Sequence, residues 1–131
     1  MGSPNQVPVH VKDPVIGMAR VDTANANLDG TGTIAALVSG STYGTRITLI
    51  EIRAAETTTA GMIRFFLNDG VDTRLWREEP VSAVTPSGTV EAFSAQIDLS
   101  SAPLILPTGW GLGVSTENSE DFNVFAHGGS F

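Results

Sequence analysis

The side chains able to do chemistry in this sequence are few: two histidines, fourteen carboxylates and no cysteine. His127 precedes Gly128 and Gly129, a run found near the oxyanion hole of some hydrolases, where backbone amides stabilise developing negative charge. Such enzymes also carry a serine on a Gly-x-Ser-x-Gly elbow, and this sequence has none. With no thiol available, nucleophilic catalysis lacks a candidate, and His10 stands alone near the N-terminus. No catalytic residue is assigned, and the chain is expected not to be an enzyme.

Metal chemistry fares little better. The stretch Asn25-Ala26-Asn27-Leu28-Asp29-Gly30 resembles the front half of a calcium loop, in which oxygens at alternate positions converge on the ion. An asparagine replaces the first carboxylate and Ala36 stands where the bidentate glutamate belongs, so a glycine-rich loop is the expectation. Asp69 and Asp72 are explained by turn chemistry. Glu78 and Glu79 point to opposite faces of any strand, and Glu120-Asp121 falls in a polar turn. No cofactor and no metal are expected. Trp76 alternates with Arg74 and Glu78, which places it on a polar face where its ring could serve as a sugar platform. Trp110 reads as core.

Composition narrows the partners. The net charge is −7 and Lys12 is the only lysine, so phosphate-backbone binding, which runs on clustered basic residues, is not expected. No run reaches the roughly 20 apolar residues of a membrane helix, and the start lacks the basic-then-apolar pattern of a secretory signal. A soluble chain that does not bind membranes is the expectation.

The elements holding these residues are strands. Residues 1–14 carry Pro4, Pro8 and Pro14 and the alternation Val7, Val9, Val11, which describes an extended arm suited to adding to a sheet. Val7, Pro8, Val9 and Val11 are its candidate contact residues, and residues 15–131 form the domain proper. There, strands are expected near Val15 to Thr23, Thr33 to Ser39, Thr45 to Ala54, Met62 to Asn68, Thr73 to Glu79, Thr89 to Leu99, Trp110 to Thr116 and Phe122 to His127. Leu112 and Val114 share a core face, as do Phe93, Ala95, Ile97 and Leu99. Asn68-Asp69-Gly70 signals a hairpin, and Pro103 and Pro107 confine Leu104 to Leu106 to an edge or connector. The pattern predicts an all-β, jelly-roll-type antiparallel sandwich of about eight strands.

Two strands are apolar on both faces. Unless a bulge intervenes, Ile47 and Leu49 point opposite to Ile50 and Ile52, while Met62 and Phe66 oppose Ile63, Phe65 and Leu67. An outer face of Ile47, Leu49, Met62, Phe66 and Trp76, covered by the arm or a neighbouring subunit, is therefore expected to bind protein.

The segments Leu106-Pro-Thr-Gly-Trp110, Leu112-Gly-Val-Ser-Thr116 and Phe122-Asn-Val-Phe-Ala-His-Gly-Gly129 resemble the ending of small jelly-roll structural proteins of tailed bacteriophages. The resemblance covers about the last 30 residues and carries no functional residues across. It implies a capsid decoration, or cement, protein: a homotrimer bound to the major capsid protein on the particle surface, assembled in the host cytoplasm. A receptor- or carbohydrate-binding module and a tail or connector component are the alternatives within the same fold.

Overall fold

In the computed structural model, which describes residues 12–131, alternating inward side chains generate nine strands and no helix. They are β1 (Asp13–Val21), β2 (Ala35–Ser39), β3 (Thr45–Ala54), β4 (Gly61–Asn68), β5 (Thr73–Val81), β6 (Ser94–Asp98), β7 (Leu104–Leu106), β8 (Gly111–Thr116) and β9 (Phe122–Ser130). Asp13 and Pro14, assigned to the arm by sequence, pair in β1 with Ser130 and Gly129. Val7, Pro8, Val9 and Val11 lie outside the described residues.

Pairing is nested. β4 pairs with β5, β3 with β6 and β7, β2 with β8, and β1 with β9, all antiparallel. One long hairpin folded over itself in this way yields two sheets, β1-β9-β3-β6 with β7 beside β3, and β2-β8-β4-β5. That is the jelly-roll arrangement expected from the sequence. The proline-bracketed Leu104–Leu106 segment supplies the ninth strand: β6 and β7 form one edge of β3, interrupted where Leu99 donates its amide to the Thr48 carbonyl (2.8 Å).

Both inner faces meet in a core of Ile47, Ile50, Ile52, Ile63, Phe65, Leu112, Val114, Phe122 and Val124, each at most 1% exposed. Phe93, Ile97 and Leu99 close one side, Phe93 meeting Phe122 edge to face at 6.4 Å. Turns are held by short carboxylates: backbone amides of Asp72 and Val71 keep the Asp69 carboxyl below its usual range, and the Ser100 amide does the same for Asp98.

Three bulges decide which residues face inward. The β3–β9 register slips between Ile47 and Leu49, leaving Thr48 as the extra residue, so Ile47 and Ile50 both point into the core. Ile47, expected on an outer face, is fully buried instead. In β5 the slip makes Trp76 the extra residue opposite Phe65 and Phe66. Trp76 turns inward, half-buried against the core with the Arg77 guanidinium 5.4 Å from its ring centre, rather than standing on a polar face. A third slip between Ala36 and Val38 buries both Leu37 and Val38.

Candidate protein interface

The outer face of the β2-β8-β4-β5 sheet carries Met62 and Phe66, and the chain covers much of it unaided. Phe66 sits opposite Gly113, pointing away from the core, yet is only 1% exposed. Its cover is the β1–β2 loop: a Cβ at Gly113 would stand 2.6 Å from Ile34 Cγ2, so glycine is required for the loop to lie this close. A cleft of about 380 Å³ between Gly30, Ile34, Val38, Phe66 and Gly111 marks where loop and sheet meet. Among the described residues the β1–β2 loop thus lies over Phe66, while Met62 stays half-buried beside it.

The loop's polar groups organise it from within. Asn25, 6% exposed, donates from Nδ2 to the carbonyls of Thr31 and Thr33, both at 3.0 Å, and its Oδ1 accepts the Asn27 amide at 3.0 Å. The Thr31 hydroxyl and amide hold the Asp29 carboxyl below its ordinary value. Asn25 Oδ1 and Asp29 Oδ1 thus serve the loop's own hydrogen bonds, and no group of three metal-binding side chains occurs among the described residues. Asn25→Ala is expected to lower stability by about 2 kcal/mol, since it strands a buried amide and two carbonyls. Thermal melts check this, with calcium or chelator leaving the unsubstituted protein's Tm unmoved.

The β1-β9-β3-β6 sheet presents a different outer face. Across it run two rows, Ile16, His127, Leu49, Asp98 and Met18, Phe125, Glu51, Gln96. Ile16 is 66% exposed and Met18 72%, with Ile105 on β7 at 48% and Leu49 and Phe125 half-buried. At the centre His127 Nε2 and Glu51 Oε1 lie 2.7 Å apart, and a shallow hollow of about 390 Å³ opens between Glu51, Arg53, Gln96 and Phe125. Nothing in the described residues covers this face, and an apolar patch of this extent on a rigid sheet is suited to protein contact.

Among the described residues that were expected to bind protein, only Leu49 lies here. Ile16, Met18, Phe125 and Ile105 escaped sequence reading, because the bulkier alternation of β1 would ordinarily face inward. Close packing decides otherwise: Gly17 meets the Leu37 carbonyl and Val38, so the small-residue side of β1 turns to the core and Ile16 and Met18 are left outside. The half-buried Trp76 offers no open ring for a sugar.

No family model and no curated protein matches the chain. Among solved structures it is similar to a pentameric capsid protein isolated from metagenomic phage sequences, at TM-score 0.40 and 16% identity over 87% of this chain. The chain spans 60% of that protein's length.

Proposed function

We propose that the chain is a structural protein of a bacteriophage particle, a decoration (cement) protein that binds the major capsid protein and other copies of itself on the particle surface. The observation that carries this reading is the open apolar face centred on Ile16, Met18 and Leu49, set on a jelly-roll body whose core is otherwise closed. The resemblance of the segments between Leu106 and Gly129 to phage structural proteins supports it. Residues 1–11, with Val7, Pro8, Val9 and Val11, extend the contact to a neighbouring chain, and repeated weak attachments across a capsid lattice multiply into firm binding. Self-association as a homotrimer belongs to the same reading.

Co-sedimentation with undecorated heads of the encoding phage tests it. The protein is expected to bind saturably, and Ile16→Asp with Met18→Asp to weaken binding by at least about tenfold per position, since each buried apolar side chain contributes about 1.5 kcal/mol or more. Both positions are exposed, so circular dichroism should be unchanged. Removal of residues 1–11 is expected to weaken binding and leave the fold intact. Failure to sediment with heads overturns the reading.

A further inference from the structure

The cleft beside the β1–β2 loop carries no charge. None of the fourteen carboxylates and seven basic residues lines it; Ile34, Ala36, Val38 and Ser39 border it over Gly111 and Gly113 of β8. Ile34 covers Gly113, but at Gly111 a Cβ would meet only the Val38 carbonyl oxygen, at 3.3 Å, so among the described residues the space above Gly111 stays open. Its volume of about 380 Å³ falls in the range of roughly 300 to 1,000 Å³ that encloses small ligands.

The cleft opens at the end of the sandwich from which residues 1–11 depart. Ser39 and Asn68 both pair with Gly111 there, residues 40–44 connect β2 to β3, and Thr45 pairs with Ser130, whose carbonyl accepts the Lys12 amide at 2.7 Å. Residues 1–11 hold no Asp, Glu, Lys or Arg, and their valines alternate at 7, 9 and 11 around Pro8. An uncharged segment enters an uncharged cleft without stripping water from an ion, and a segment that proline already holds extended loses little chain entropy on docking. Eleven extended residues reach up to roughly 36 Å. Direction favours a neighbour's cleft. The chain leaves β1 in line with the strand, and Pro8 and Pro14 each keep the preceding residue extended, so entry into its own cleft would require the chain to reverse.

We propose that residues 7–11 of one copy seat in this cleft of a neighbouring copy, with the Val7 and Val9 side chains filling it between Ile34 and Gly111. This rests on the self-associating reading above and gives the arm its acceptor, leaving the open Ile16 and Met18 face free for the capsid. Arm and cleft are different surfaces, so the contact is heterologous, and repeated around an axis it closes a ring such as a trimer.

Complementation between two variants tests this. Sedimentation velocity of the full chain should show association. Val7→Asp with Val9→Asp spoils the arm, and Ala36→Glu with Ser39→Glu charges the cleft. Each pair of changes should weaken association at least about a hundredfold, since every apolar burial lost is worth about tenfold or more. Ala36 and Ser39 are exposed, and circular dichroism verifies folding. Mixing the two double variants should restore a dimer, because the intact arm of the second enters the intact cleft of the first. Two folded variants that stay monomeric on mixing overturn the proposal. An unsubstituted protein that is monomeric does so too, and is the result expected if the arm fills its own cleft; so does association that survives both pairs of changes. In each of these cases heads are still bound through Ile16 and Met18, whereas failure of the decoration role abolishes head binding and leaves the complementing mixture intact.

Discussion

Phe66→Ala is expected to destabilise the domain by about 4 kcal/mol, in the range of large aromatic truncations in cores, and to lower Tm by about 15 °C. Position alone would suggest a small effect, because Phe66 projects from the outer face of its sheet, opposite Gly113. Its cost comes from the lid. Ile34 and the glycine-rich loop leave the ring 1% exposed, so truncation removes the transfer free energy and opens a void beneath the loop. A loop relaxes more readily than a strand, and part of the loss would be recovered by collapse. Urea unfolding measures the total, and hydrogen exchange should show residues 28–34 losing protection first. A loss below about 1 kcal/mol would mean that the loop does not seal the ring, returning Phe66 to the set of residues available for docking.

The same residue shows how far sequence reading reaches. Alternation located the strands well: Thr45–Ala54 has the expected limits, Leu112 and Val114 are core, and Leu104–Leu106 is an edge piece between prolines. Those features are local, set by side-chain period and by proline's missing amide. The sandwich class follows from the number and spacing of strands, whereas their order within the sheets depends on pairings distant in sequence. Bulges are not legible, because one inserted residue reverses the facing of everything beyond it and leaves no mark in composition. Thr48 and Trp76 are such residues, and they moved Ile47 and Trp76 inward. The open face was missed for a related reason. Whether Ile16 or Gly17 turns to the core depends on how near β2 comes to β1, a tertiary distance. Doubly apolar β4 was read as needing a partner, yet a loop of its own chain serves for Phe66.

Gly128→Ala is expected to cost about 3 kcal/mol or more, against a helpful local preference, since glycine inside a strand is worth roughly 0.5 to 1 kcal/mol less than alanine. Gly128 lies on β9, hydrogen-bonded between β1 and β3, directly beside the β3 slip that pairs Ile47 with Gly128 and Leu49 with His127. A Cβ there would overlap the Arg46 carbonyl oxygen and stand 2.8 Å from its carbon and 3.0 Å from Ile47 Cα. These are backbone atoms of a central strand, and no rotamer change moves them aside. Relief demands that β3 shift against β9, which opens the ladder on which the core residues Ile47 and Ile50 are mounted. Gly88→Ala is the control: nothing lies within 4 Å of a Cβ at that position, so stability should stay within about 0.5 kcal/mol. Functional consequences follow from the row Ile16, His127, Leu49, because a displaced β9 carries His127 away from Glu51 and misaligns the open face. On the proposed decoration role, any folded fraction of the alanine variant should therefore bind phage heads more weakly than Gly88→Ala at the same concentration of native protein. Equal binding by the two would mean that the face tolerates misalignment, and equal stability would mean that β3 and β9 do not approach this closely.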